Sequence, residues 1–225
     1  MAIFLDTGNI NEIRKYHEMG ILSGVTTNPT ILSREGVKGG MDGVKKRSME
    51  IANLISPLPL SVEVTTNEMD RMLQQAMDFS EWANNINVKI TIHGPEGELG
   101  NLKVIHELEK KHDVRINVTA MMSAQQCFLA ARAGATYLSI FGGRVNNMGY
   151  NVINEISLLR RLLDSFNLES QIIVGSTREV LNIIEWLDAG AHIVTATPNL
   201  IEGMLVHPYS KETVQMFLKD GIEYQ

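Results

Sequence analysis

The strongest constraint on the fold is a regular alternation of short β-rich runs with longer amphipathic segments along the whole chain. Eight such strand-and-helix units in 225 residues give about 28 residues each, close to the length of one βα unit. We predict strands at 2–6, 24–28, 60–65, 86–92, 114–119, 136–141, 171–175 and 192–196. The helical patterns occupy 10–19, 40–55, 68–84, 98–111, 123–133, 152–166, 177–188 and 211–219.

Glycines and capping residues mark the joints between these elements. Gly134 and Gly190 each follow a helical pattern, where glycine tolerates the left-handed cap. The segments 65–68 and 176–179 have the sequence of capping boxes at helix starts. No linker divides the chain, so we predict one α/β domain over residues 1–225. Eight units favour a single (β/α)8 TIM barrel, whereas the alternative, a doubly wound open sheet, would carry a glycine-rich fingerprint that is missing here.

Composition excludes several classes of function. The net charge of −6 and the pI near 5.5 argue against a nucleic-acid partner, which needs a basic surface. No run reaches the roughly 18 apolar residues of a membrane span, and the N-terminal residues lack the pattern of a secretory signal. The single cysteine, Cys127, cannot form an internal disulfide, which favours the reducing cytoplasm. The six histidines show no metal-ligand spacing, so no metal is expected.

Side chains within the predicted strands alternate between polar and β-branched residues, as in Asn-Val-Lys-Ile-Thr at 87–91. In a half-exposed antiparallel sheet this alternation would only separate core from solvent. In a barrel covered by helices it places the polar side chains in the lumen, which is costly unless they pair with each other, with water or with a ligand. The carboxyl ends of barrel strands are where barrel enzymes carry their chemistry. Six polar residues fall at or near such ends: Asp6, Asn28, Glu63, Lys89, Asn117 and Thr119.

Lys89 is the most informative of these residues. Burial in a partly dry site disfavours an ammonium and makes the neutral amine available, and a neutral amine attacks ketones to form an imine. A strand lysine can also protect a sheet edge or extend to solvent. Because Glu63, Asn117 and Thr119 are predicted at similar depth on neighbouring strands, we favour covalent catalysis. Asp6 leaves two interpretations open, a carboxylate at the mouth of the first strand and a cap for the following loop.

Five blocks of sequence resemble the transaldolase family, in the right order and over the whole chain. They are 4–7 (Phe-Leu-Asp-Thr), 24–30 (Gly-Val-Thr-Thr-Asn-Pro-Thr), 88–89 (Val-Lys), 117–119 (Asn-Val-Thr) and 133–137 (Ala-Gly-Ala-Thr-Tyr). The chain is most similar to the short branch of that family, which also contains fructose-6-phosphate aldolases. The resemblance implies a class I mechanism through a lysine Schiff base, without metal or other cofactor.

The resemblance also implies roles for particular residues. Lys89 corresponds to the imine-forming lysine, and Asp6 to the acid/base that acts on the C4 hydroxyl. Glu63 and Thr119 correspond to the pair that holds the catalytic water.

Further substrate contacts are expected from the other strand ends. Asn28, Asn117 and Ser139 resemble the residues that bind the hydroxyls of the dihydroxyacetone unit. Thr26 and Phe141 are predicted beside them in the substrate site.

The anion site of the family corresponds to Arg144, Ser176 and Arg178. Ser176 opens a predicted helix, whose free N–H groups favour an anion, and arginines give bidentate contacts. The chain departs from the family around this site, with Gly-Gly at 142–143 and Val-Asn-Asn at 145–147. Sulfoglycolytic transaldolases are similar to this branch, so both a sugar phosphate and a sulfosugar such as 6-deoxy-6-sulfofructose are candidate substrates.

Two positions separate transfer from simple cleavage. The aldolase branch has Gln where this chain has Glu63, and Tyr where it has Phe141, so the pattern favours a transaldolase with an aldose phosphate as acceptor. The alternatives are an aldolase that releases free dihydroxyacetone and a non-catalytic barrel that binds sugar phosphates. The amphipathic tail 214–225 is expected to pack on a neighbouring subunit of a homo-oligomer.

Overall fold

Eight parallel strands form a closed barrel in chain order in the computed structural model, which describes residues 2–224. Each strand pairs with the next, and the last pairs with the first. This arrangement confirms the predicted (β/α)8 TIM barrel. The strands are β1 (Ala2–Asp6), β2 (Gly24–Thr26), β3 (Leu60–Glu63), β4 (Ile86–Thr91), β5 (Ile116–Met121), β6 (Tyr137–Phe141), β7 (Gln171–Gly175) and β8 (Ile193–Ala196).

Helices surround the barrel and also cover part of its mouth. They are α1 (Ile10–Glu18), α2 (Pro29–Arg34), α3 (Gly40–Ile55), α4 (Met69–Ser80), α5 (Gly100–Lys111), α6 (Ala124–Ala133), α7 (Gly142–Asn147), α8 (Val152–Ser165), α9 (Val180–Asp188), α10 (Pro198–Leu205) and α11 (Pro208–Asp220), followed by a 3-10 turn at Gly221–Tyr224. The sequence did not predict the short helices α2, α7 and α10, which follow β2, β6 and β8 directly at the carboxyl ends of these strands. No helix within residues 2–224 is both long and apolar enough to cross a membrane.

The joints between helices and strands follow the prediction in part. Gly134 has a φ of 105° and ends α6 in the left-handed conformation, as predicted. The capping box at 65–68 is wrong, because α4 begins only at Met69 and its N-cap makes no side-chain bond. The backbone N–H of Thr65 donates instead to Oε1 of Gln75, at 2.7 Å. A side chain of α4 therefore holds the loop before this helix, whereas the sequence predicted a local capping box.

The start of α9 also differs from the prediction. The helix begins at Val180, and its capping box is formed by Glu179 and Asn182. Ser176 lies before the helix with a φ of 58°, in the left-handed region. A side chain at Gly143 would clash with the backbone oxygen of Ser176, so this glycine permits the two loops to approach closely. The predicted role of Ser176 as a helix start is therefore wrong.

The two faces of the strands have different surroundings, as the alternation predicted. Val88 and Ile90 are fully buried in the core between strands and helices. Asn87 and Lys89 lie on the other face of β4, inside the barrel, where they are 0% and 5% exposed. A separate apolar cluster inside the barrel contains Phe4, Ile173 and Ile193, so polar side chains of the lumen lie above or beside an apolar base.

Candidate active site

A cavity of about 580 Å³ opens at the carboxyl ends of the strands. Of the twelve side chains that the sequence singled out, eleven line this cavity, and Asn117 is the exception. The fold thus brings together residues that are as distant in sequence as Asp6 and Arg178. Ligands of barrel enzymes bind at this end of the strands, so the cavity is the candidate active site.

Lys89 lies at the floor of the cavity between two neighbouring strands. Strand register aligns it with Glu63 on β3 and with Asn117 on β5. Its Nζ lies 3.3 Å from Oε2 of Glu63 and donates to the backbone oxygen of Thr27 at 3.0 Å. Because the amine is nearly buried and contacts Glu63 on one side and Thr27 on the other, its position in the cavity is fixed. A carboxylate that can accept its proton is within direct reach.

Asp6 ends β1, and its carboxylate accepts a hydrogen bond from Thr26, which in turn contacts Thr195. Thr26 Oγ1 donates to Oδ1 of Asp6 at 2.6 Å and lies 2.6 Å from Oγ1 of Thr195. Burial raises the pKa of the Asp6 carboxyl above its ordinary value of 3.8, although the bond from Thr26 and the charge of Lys89 lower it. Asp6 is not a helix cap, because the side chain of Asn9 caps α1. The structure therefore supports the interpretation of Asp6 as a carboxylate in the cavity.

Thr119 presents a hydroxyl without a protein partner to the cavity. The residue is 1% exposed, and its Oγ1 makes no hydrogen bond within residues 2–224. The pairing of β5 with β6 shifts register between Val118 and Met121, and Ala120 has a φ of 60°. Such irregularities turn a side chain away from its ordinary direction. A buried polar group left unpaired costs about 1–3 kcal/mol, so this hydroxyl is suited to a bound water or substrate.

Asn117 does not line the cavity and is fully buried. Its Nδ2 donates to Ser61 Oγ at 3.0 Å, and its Oδ1 accepts from Ser139 Oγ at 2.6 Å. Ser139 in turn lines the cavity. The sequence predicted Asn117 as a direct substrate contact, but in this structure it reaches the cavity through Ser139.

Asn28 lines the cavity from the β2 side. Strand β2 ends at Thr26, two residues earlier than predicted, and Asn28 instead caps α2 by accepting from the N–H of Ile31 at 2.9 Å. Pro29 occupies the first helical position, where its missing N–H is not needed. The cap fixes the Asn28 amide beside the cavity while its Nδ2 makes no bond within the described residues.

The opposite wall carries two exposed arginines. The guanidinium carbon of Arg144 lies 5.2 Å from the centroid of the Phe141 ring, a cation–π contact. Arg178 and Ser176 belong to the loop after β7, which packs against Gly143 at the start of α7. Two loops from neighbouring strands thus bring the predicted anion-binding residues into one wall.

Arg34 and Thr195 also line the cavity, although neither was predicted as a site residue. Arg34 ends α2, a helix too short to show periodicity, but the Asn-Pro start at 28–29 is a signal that could have revealed it. Thr195 could have been found by extending the alternation rule to β8, where it is the polar residue between Val194 and Ala196.

Cationic side chains outnumber anionic ones in this cavity. Three arginines and Lys89 face Asp6 and Glu63. Within residues 2–224, no three His, Cys, Asp or Glu side chains group closely enough to hold a metal ion. The charge balance favours an anionic ligand whose charged end lies near the arginines.

Comparison with known proteins gives a family over nearly the full chain. The family described as Transaldolase/Fructose-6-phosphate aldolase matches residues 3–224. A protein named "Probable transaldolase 1" from Bacillus cereus is 37% identical over 220 residues, which cover 98% of this chain and 97% of that protein. "Probable transaldolase 2" from Listeria monocytogenes is 38% identical, over 98% of this chain and 95% of its own length.

Two solved structures resemble the fold at low sequence identity. A thiamine phosphate pyrophosphorylase from Pyrococcus furiosus has a TM-score of 0.61 at 11% identity and covers 87% of this chain and 85% of its own. A putative phosphonomutase from Burkholderia cenocepacia has a TM-score of 0.59 at 14% identity and covers 97% of this chain and 92% of its own. These likenesses extend to the barrel alone.

Proposed function

Because the chain belongs to the transaldolase/fructose-6-phosphate aldolase family, we propose that it transfers a dihydroxyacetone unit between sugars through an imine on Lys89. The donor is a ketose with an anionic group at C6, either fructose 6-phosphate or 6-deoxy-6-sulfofructose. The acceptor is an aldose phosphate such as glyceraldehyde 3-phosphate or erythrose 4-phosphate. The observation that carries the proposal is the buried amine of Lys89, 3.3 Å from the Glu63 carboxylate, in a cavity with cationic walls. No metal or cofactor takes part.

Imine formation begins when the ammonium of Lys89 gives a proton to Glu63. The neutral amine attacks C2 of the ketose, and the resulting carbinolamine loses its hydroxyl as water after protonation from Glu63. The unpartnered hydroxyl of Thr119 supports this step, because it lines the same cavity as Glu63 and can hold the water.

Bond cleavage follows at the carboxylate of Asp6. Asp6 takes the proton of the C4 hydroxyl, the C3–C4 bond breaks, and its electron pair moves into the protonated imine to give an enamine. The three-carbon aldehyde leaves with the anionic group. The enamine then attacks the acceptor aldehyde, Asp6 returns the proton to the new alkoxide, and water hydrolyses the imine. A raised pKa suits a carboxyl that must both take and return a proton.

Transfer is favoured over release because the cavity offers the enamine few proton donors. Phe141 has no hydroxyl, so it cannot protonate the enamine carbon. Product analysis with fructose 6-phosphate tests this point. We expect a seven-carbon ketose phosphate when erythrose 4-phosphate is present, and little free dihydroxyacetone in either case. Release of dihydroxyacetone at the same rate with and without acceptor would instead identify an aldolase.

The arginine wall is expected to bind the anionic end of the donor. We predict that Arg144→Met raises the KM for fructose 6-phosphate about 10-fold, since one charge-assisted hydrogen bond at an exposed site contributes about 1.5 kcal/mol. The KM for uncharged fructose should not change, and Arg132→Met, on an exposed helix face, serves as the control. Parallel rates with 6-deoxy-6-sulfofructose decide which anion is preferred. Equal KM changes for charged and uncharged donors would contradict this assignment.

We also propose that the barrel is one domain over residues 1–225 whose last helix packs on a second copy. None of the residues of α11 is buried, and three of its apolar side chains, Val214, Phe217 and Leu218, are more than half exposed. A helix of 13 residues is marginally stable alone, and an apolar face of this kind needs a covering surface. A homo-oligomer provides that surface. The cytoplasmic location expected from the sequence stays a prediction.

Exchange of apolar residues on α11 tests the oligomer. We predict that the double variant Phe217→Ser, Leu218→Ser has a lower molar mass than the wild type by light scattering. Its circular dichroism spectrum should remain that of the folded barrel. Lys211→Ser on the same helix should leave the mass unchanged. A wild-type protein that is monomeric at micromolar concentration would contradict the proposal.

A further inference from the structure

Asn87 carries the most conspicuous unpaired amide of the barrel interior. It lies on β4 two residues before Lys89, so both side chains point to the lumen. The residue is 0% exposed, and neither Nδ2 nor Oδ1 has a hydrogen-bond partner within residues 2–224. Buried amides in folded proteins are almost always paired with protein or ordered water, so this side chain needs a partner.

Ser61 is the nearest polar neighbour across the strand pair. The register of β3 and β4 places it opposite Asn87, and it is also fully buried. Its Oγ accepts from Nδ2 of Asn117, and its own proton makes no hydrogen bond within the described residues, so it is available to donate. An orphaned acceptor on Asn87 and an available donor on Ser61 therefore face the same part of the lumen.

The serine and amide groups form a chain with one direction. Ser139 donates to Oδ1 of Asn117, and Nδ2 of Asn117 donates to Ser61. Below this chain the barrel is closed by the apolar side chains of Phe4 and Ile173. A molecule that bridges Ser61 and Asn87 would thus be closed off from solvent at the base of the barrel. Only a small polar molecule suits both partners.

We propose that Asn87 and Ser61 bind buried water beneath Lys89, and that this water makes Asn87 a positioning residue for the substrate site. The water accepts the proton of Ser61 and donates to Oδ1 of Asn87. Ser61 is then kept as an acceptor for Asn117, which fixes the orientation of the Asn117 amide. A fixed Asn117 keeps the proton of Ser139 directed inward, so that Ser139 offers lone pairs to the cavity.

The consequence is a preference for donating groups on the substrate. Ser139 lines the cavity with its lone pairs available, so it accepts from a substrate hydroxyl and interacts poorly with a carbonyl. This inference rests on the proposed function, in which a hydroxyl of the dihydroxyacetone unit meets Ser139. The water site itself depends only on Asn87 and Ser61.

The test uses Asn87→Leu, which removes the amide at similar size, and Asn87→Ser, which keeps a polar group. We expect the leucine variant to raise the KM for the donor about 2- to 10-fold with kcat nearly unchanged, as loss of one ordinary hydrogen bond predicts. The serine variant should return most of that loss. In a double-mutant cycle, Ser61→Ala should add little once Asn87 is leucine, because both act through the same water.

A count of long-lived buried waters by oxygen-17 relaxation dispersion tests the water site separately from the proposed transfer activity. The full-length wild-type protein should hold at least one more such water than Asn87→Leu, whether or not it transfers sugars. An equal count, or additive effects of Asn87→Leu and Ser61→Ala on KM, would overturn the water site. A wild-type protein with the extra water but without transfer activity would contradict the proposed function and leave the site intact.

Discussion

Replacing Lys89 with methionine is expected to abolish both the covalent adduct and sugar transfer. Methionine fills a similar volume at the cavity floor but has no amine to attack the donor carbonyl. Loss of a covalent nucleophile elsewhere costs about 10⁶-fold in kcat, and we expect at least about 10⁴-fold here. Trapping with borohydride in the presence of fructose 6-phosphate, followed by intact mass, measures the adduct, and a coupled assay measures transfer.

The fold should survive this exchange, because the ion pair of Lys89 with Glu63 is a small part of a closed barrel. Lys103→Met, on the exposed face of α5, is the matched control and should retain both adduct and activity. A Lys89→Met variant that still forms a borohydride-stable adduct would remove Lys89 from the mechanism.

Asp6→Asn is expected to lower kcat about 10²- to 10⁴-fold, the range for loss of a general acid/base. The amide can still fill the site beside Thr26, but it cannot take the C4 proton. The imine forms before this step, so adduct trapping should persist while transfer is lost. Because burial raises the pKa of Asp6, the acid limb of the wild-type rate profile should lie above the ordinary value of 3.8.

The same exchange should stabilise the protein at neutral pH. A carboxyl whose folded pKa is raised favours folding below its unfolded pKa, and that contribution is lost as pH rises through the folded pKa. Asp6→Asn does not titrate, so its free energy of unfolding should exceed that of the wild type at pH 7, with the difference shrinking toward pH 4. Denaturant titration at the two pH values measures it. Asp42→Asn, an exposed exchange on α3, should show neither effect, and a variant less stable than wild type at pH 7 would contradict this account.

The barrel could be predicted from its eight strand-and-helix units, and the residues of its lumen from strand alternation, which has a period of two. That period fixes which face of β4 carries Asn87 and Lys89, and parallel register then aligns Lys89 with Glu63. Which of the lumen side chains reach the cavity could not be predicted this way. Asn117 is aligned with Lys89 in strand register, yet it does not line the cavity and instead accepts a hydrogen bond from Ser139. Alternation identifies the face of a strand but gives no distance from the cavity.

The features that were not predicted are the short helices and the contacts between residues distant in sequence. Helices α2 and α7 each span six residues, fewer than two turns, so no apolar period is visible in them. Arg34 belongs to α2 and was missed with it. Ser176 was misplaced because it lies before the helix in the left-handed region and packs closely against Gly143 of α7, a tertiary contact that no local sequence pattern contains.

Peptide mapping of the trapped intermediate shows which lysine forms the imine with the donor sugar. The wild-type protein is reduced with borohydride in the presence of fructose 6-phosphate, digested and sequenced by tandem mass spectrometry. We predict a reduced three-carbon adduct on Lys89 and unmodified peptides for the other lysines. Transfer activity without any adduct, or an adduct on a different lysine, would contradict it.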